Sequence, residues 1–179
     1  MEKIIAYYCA PALTGIKASN IVSCSKNKFD NIHDVIRSLN LQLNSKDIYF
    51  DALCECNKRV LLMVYRKNVL KNTLEIKENR EFLTSYGYDD KWNTDEYIIH
   101  LKERLKENEF PHEIGIFLGY PLHDIYGYLY KRNDECVLCG EWKVYKNAEE
   151  AKKLFKRFDD CRIALTKRVL CGKTLAQVF

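Results

Sequence analysis

Three side chains in this sequence have the types that nucleophilic catalysis needs: a thiol at Cys9, an imidazole at His112 and a carboxylate at Asp124. A thiol attacks as its thiolate, a base must handle the proton, and a third group must orient the base. Pro11 suits a first helical turn, where its missing N–H has no partner to lose. A helix over Ala10–Val22 is therefore expected, with Cys9 at its start. The unpaired N–H groups and the dipole at such a start favour a negative charge on sulfur. Acyl transfer also needs oxyanion donors. The backbone N–H of Cys9 or Ala10 is one, and Asn20 or Tyr8 is the candidate for the second. The alternative for Cys9 is a buried thiol that serves packing alone.

His112 and Asp124 fall in FPHEIGIFLGYPLHDIYGYLY, Phe110–Tyr130. Apolar runs bounded by Gly and Pro predict two strands, Ile114–Leu118 and Ile125–Tyr130, about a turn at Gly119-Tyr120-Pro121. Adjacent antiparallel strands would hold His112 and Asp124 together, fixing the imidazole tautomer.

The other elements follow from periodicity. Met1–Tyr8 is an apolar lead and Cys24–Phe29 a polar loop. Asp30–Leu41, Lys67–Leu83 and Thr94–Lys106 read as helices, with stripes such as Ile32, Val35, Ile36, Leu39 and Tyr97, Ile98, Leu101, Leu105. Lys46–Cys54 and Arg59–Tyr65 read as strands, the second nearly continuously apolar and so central. A turn at Asn133–Glu135 precedes a strand near Val137–Tyr145. Asn147, with Glu150 to complete a capping box, starts a last helix that stops at Gly172. The sum is one α+β domain over 1–179, with five strands in a mostly antiparallel sheet.

The chain has 179 residues, a net charge of +4, 47% apolar and 30% charged residues, as an ordinary soluble globule does. Its Lys and Arg are interleaved with Asp and Glu and match no recognition motif, which argues against nucleic acid. No segment approaches the roughly 20 apolar residues of a membrane span, and no leader is visible, so a cytoplasmic protein with free thiols is expected. Of the eight cysteines, Cys54 and Cys56 with Cys136 and Cys139 offer four zinc-ligand types. The Cys-x-Cys spacing is tighter than structural zinc sites use and the two pairs lie far apart, so isolated thiols and no metal site are expected. A redox pair at Cys136 and Cys139 is a further option, without a thioredoxin-like βαβ pattern around it.

The stretches CAPALTGIK, FPHEIGIFLGYPLHDIYGYL and CGEWKVY followed by AEEAKKLFKRFDDC resemble a family of clostridial proteins known as a domain of unknown function, over nearly the whole chain. Cys9, His112 and Asp124 fall on positions that match a papain-like triad. The resemblance implies a papain-like, cysteine-protease-type fold, with an N-terminal helix carrying the Cys against the sheet. Within that family the sequence is similar to amide-bond-forming enzymes of polythioamide (closthioamide-type) antibiotic biosynthesis. What this implies is an acyltransferase. Cys9 would take an acyl or polythioamide chain from the phosphopantetheine thioester of a peptidyl or acyl carrier protein. A small amine would then attack while His112 takes its proton and Asp124 holds His112. No cofactor is implied beyond the partner's phosphopantetheine. Papain-like enzymes usually carry a Gln shortly before the nucleophile; Tyr7 and Tyr8 stand there instead. The rival readings are a cysteine peptidase or amidohydrolase with the same triad, and a catalytically silent binding module.

Overall fold

A computed structural model describes residues 1–29, 31–107, 109–131 and 135–179. Its centre is strand β3, Arg59–Arg66, flanked by β1, Ser19–Ser25, and β2, Ile48–Glu55, in an antiparallel sheet of order β1-β3-β2. Ser19 pairs with Tyr65 and Ser25 with Arg59; Ile48 pairs with Arg66, and a bulge interrupts β2 between Ala52 and Cys54. The apolar run of β3 is explained by burial on both faces. Val60, Leu62 and Val64 join one core cluster, and Met63 and Tyr65 join the other. Side chains alternate across a strand, so a strand covered on both sides needs apolar residues at every position.

On the first face lie α1, Glu2–Tyr8, α2, Ala10–Leu13, and α3, Ile32–Leu43. α3 buries Ile32, Ile36, Leu39 and Leu43 at helical spacing. On the second face lie α4, Lys67–Leu74, α5, Lys77–Thr84, α6, Thr94–Arg104, α7, Ile114–Phe117, and α8, Leu122–Tyr130. Asn93 caps α6 in a capping box with Glu96. A two-stranded hairpin, β4 Leu138–Cys139 and β5 Lys143–Val144, leads to the long α9, Ala148–Leu170, and to α10, Leu175–Val178. α9 packs on α1 and α2. Trp142, Val144, Ala151 and Phe158 form a third, smaller core between the hairpin and α9. The architecture is α+β, helices packed against a small antiparallel sheet.

Several expectations are corrected. Phe110–Tyr130 holds two short helices rather than two strands, so the sheet does not have five strands. A short buried apolar run does not distinguish strand from helix by periodicity. Here Pro111 opens the first turn, with Ile114 N–H donating to its carbonyl at 3.2 Å. Gly119, at φ 70°, ends α7. The helix expected over Ala10–Val22 stops at Leu13, because Gly15 at φ 80° breaks it and β1 begins at Ser19. Met1–Tyr8 is helical from Glu2, and Lys67–Leu83 is two helices with a break at Glu75–Ile76. Asn147 does precede α9, but at φ 57° and without a side-chain cap, so the capping box with Glu150 does not form. Asp30, expected to begin the second helix, and most of the Asn133–Glu135 turn lie outside the described residues.

Candidate functional site

Cys9 is the hinge between α1 and α2, ending one and starting the other. Its N–H donates to Ile5 O at 2.8 Å and its carbonyl accepts from Leu13 N at 2.9 Å. That N–H is therefore committed to α1, and the expectation that Cys9 would offer a free oxyanion donor is corrected. The carbonyl end of α1 also abuts the start of α2, so the charge-favouring end of one helix meets the opposing end of the other. The thiol is fully buried, and burial pushes its pKa well above the ordinary thiol range, with Cys24 adding to the effect. Lys17 and Arg162 act the other way without overcoming it.

His112 and Asp124 line a different space. It is a cavity of 400 Å³ walled by Ile21, Ile114, Leu118, Ile125 and the rings of Phe110, Tyr120, Tyr128 and Trp142. Cys9 is not among its lining residues. His112 is exposed and meets Tyr128 edge to face at 5.4 Å. Asp124 is 3% exposed, in the first turn of α8. Its Oδ2 accepts from the Trp142 indole at 2.9 Å, and its Oδ1 from Tyr145 N at 2.7 Å and Lys146 N at 3.3 Å. His123 Nε2 lies 3.5 Å from the same Oδ1. Both oxygens are thus engaged in fastening the β4–β5 hairpin to α8. This is a structural task for a buried carboxylate, which is stable there because its donors replace water.

A second, more polar cavity of 550 Å³ adjoins the first, sharing Ile21, Leu118 and Tyr120 as a common partition. Tyr7, Tyr8, Lys17, Asn20, Glu141, Asp159 and Arg162 line it. Tyr8 is half exposed and stacks edge to face on Tyr7 at 5.0 Å. Asn20 Oδ1 accepts from Ala12 N at 3.0 Å, which leaves its amide N–H groups as the donors it has to offer the cavity. The two oxyanion candidates therefore share a cavity with each other.

The group that the sequence reading passed over is Lys17. It is 7% exposed and lies between two rings, with Nζ 5.3 Å from the Tyr120 centroid and 5.7 Å from that of Phe158. No carboxylate or carbonyl among the described residues is within ion-pairing or hydrogen-bonding distance of it. Burial lowers its pKa to about 8, against an opposing pull from Glu141. Arg162 beside it is satisfied, Nη2 binding Glu141 at 2.7 Å and Nη1 binding Asp159 at 2.9 Å. The arrangement is an aromatic chamber next to a polar one that holds a buried cation without a counter-ion among the described residues. The available signal in the sequence was Lys17 itself, set between Ile16 and Ala18 where the chain is otherwise apolar or small.

The eight thiols are free. Cys54 and Cys56 sit at the β2–β3 turn, while Cys136 precedes β4 and Cys139 ends it beside the hairpin turn. Among the described residues no group of three or more His, Cys, Asp or Glu is placed to hold a metal ion. Nor, among those residues, is any helix long and apolar enough to cross a membrane.

A family model described as "Protein of unknown function" matches residues 5–179. No curated protein matches the chain, and no solved structure does.

Proposed function

The chain belongs to the family of unknown function DUF3793, and we propose that it is a binding module for a small amphipathic carboxylate. The ligand's apolar or aromatic body would fill the 400 Å³ chamber, and its carboxylate would reach past Tyr120 to Lys17. The observation that carries this reading is the buried, unpaired Lys17 ammonium at the junction of an aromatic chamber and a polar one. Burying a charge without a partner is costly, so a site that keeps one is suited to a ligand that brings the counter-charge. A concave, mostly apolar space with a few placed polar groups is the usual form of a small-molecule site. Asn20 and Tyr8 then serve as hydrogen-bond donors to the ligand's head.

The test is ligand-observed NMR of the full chain against a panel of aryl and acyl carboxylates, with the matching primary alcohols and amines as controls. Carboxylates should bind and the controls should not. Equal binding of alcohols and carboxylates would remove Lys17 from the account.

Acyl transfer by a papain-like Cys9–His112–Asp124 triad is the second reading, supported by His112 and Asp124 lining one cavity. It requires Cys9 to leave its buried place and ionise, and Asp124 to exchange a hairpin partner for His112. Its carrier-protein thioester and amine substrates would make an acyl adduct on Cys9. Intact mass spectrometry with acyl thioesters, wild type beside Cys9→Ala, separates the two readings.

A further inference from the structure

We propose that Cys136 and Cys139 form a reversible dithiol–disulfide couple, a thiol–disulfide exchange site whose oxidant is a small-molecule disulfide. The two sulfurs lie 3.3 Å apart, within hydrogen-bonding contact of each other. Cys139 is exposed and Cys136 half-buried, so one sulfur faces an incoming disulfide and the other waits behind it. The hydrogen bond with Cys139 raises the Cys136 thiol, which fits Cys136 as the protonated partner of the pair. That division of labour suits an attacking thiolate and a resolving thiol.

The surroundings hold the pair in place. Cys139 opposes Lys143 across the hairpin, Val137 N donates to Val144 O at 2.8 Å, and Gly140 N donates to Trp142 O at 3.1 Å. Phe155 covers Gly140 so closely that a Cβ there would fall 2.3 Å from the ring. The same hairpin contributes Gly140 and Glu141 to the polar cavity and Trp142 and Lys143 to the aromatic one. The couple therefore adjoins residues of both cavities without lining either, and its chemistry does not depend on what they bind.

The Cys139 thiolate attacks one sulfur of R–S–S–R, forming a mixed disulfide and releasing R–S⁻. Cys136 loses its proton to the departing thiolate and attacks the Cys139 sulfur, expelling the second R–S⁻. Two thiols of the protein become one disulfide, and one small disulfide becomes two small thiols once the second is protonated from solvent.

The full chain is equilibrated in mixtures of reduced and oxidised glutathione, quenched with iodoacetamide, digested and read by mass spectrometry. The peptide with Cys136 and Cys139 should pass in one transition from doubly alkylated to internally bridged, the bridged form being two hydrogens lighter than the unmodified dithiol peptide. Cys136→Ser should instead hold glutathione on Cys139 at the oxidising end. Cys56, exposed and lowered by the N–H groups of Lys58 and Arg59, reports whether the oxidant forms simple adducts. Two free thiols at every ratio, or a glutathione adduct without the internal bridge in wild type, would overturn the proposal.

Discussion

The Lys17 ammonium lies 5.3 Å from the centre of the Tyr120 ring, and Tyr120 belongs to the partition between the two cavities. A cation over an aromatic face gains electrostatic attraction, about 0.5–2 kcal/mol. That gain does not replace the hydration an ammonium loses on burial. Lys17 is therefore held at a cost to the free protein, and removing its charge should show this. Lys17→Met keeps the length and apolar stem. It should stabilise the chain by about 1–3 kcal/mol in urea unfolding while weakening carboxylate binding. A Lys17→Met protein less stable than wild type would mean that the charge is already compensated.

The pH dependence has a definite sign. Burial brings Lys17 down to about 8 from its ordinary value of 10.5. The unfolded chain then holds more protons than the folded chain between those values, so the Lys17 contribution to stability improves as pH rises from about 8 to 10.5. Carboxylate affinity runs the opposite way. It is full below about 8 and declines above it as the amine loses its proton. Titrations in buffers of different ionisation enthalpy should also register proton uptake on binding above that pH. Affinity that rises with pH would contradict the assignment.

Asp124 predicts a structural phenotype. Asp124→Asn keeps the shape but puts an N–H₂ group in place of one carboxylate oxygen, where it faces either Trp142 Nε1 or Tyr145 N and leaves the other donor its acceptor. A loss of about 2–4 kcal/mol is expected, since the charge that strengthens these hydrogen bonds is removed and one buried donor side is left facing another donor. Trp142 fluorescence should shift to the red as the hairpin loosens. An unaltered stability would free Asp124 for another role.

α8 meets the hairpin through a glycine. A Cβ on Gly127 would fall 2.3 Å from Tyr145 Cγ, inside any tolerable contact. Gly127→Ala should destabilise by about 1–3 kcal/mol through this overpacking, despite the better helix propensity of Ala. In a Tyr145→Ala background, which lacks Cγ and Cδ2, the same substitution should cost less.

The thiols should react in an order set by burial and charge. Iodoacetamide should label Cys9 slowest, because it is inaccessible and its pKa is raised. Cys56, exposed and lowered, should be among the fastest. A Cys9 that outpaces the rest would favour acyl transfer.

What was legible in the sequence was what periodicity alone decides. Val60–Val64 reads as a central strand because it is buried on both faces, and Leu154, Phe158, Cys161, Leu165 and Val169 mark the inner stripe of α9. Phe110–Tyr130 was misread because IGIFL is short and wholly apolar, so strand and helix predict the same residues. Its helical register comes from tertiary contacts, such as Ser19 Oγ donating to Phe117 O at 2.7 Å. The candidate site was half legible. His112 and Asp124 do share a cavity, and Asn20 and Tyr8 share the next. Cys9 as a helix start was readable, but not the helix that precedes it. Lys17 was missed because a single lysine among many reads as surface, and its burial depends on α9, far along the chain.

The most direct measurement is calorimetric titration of one aryl carboxylate into wild type and Lys17→Met at pH 7. The account predicts that the substitution weakens binding at least about tenfold, a change of about 1.4 kcal/mol. Equal affinity for the two proteins would contradict it.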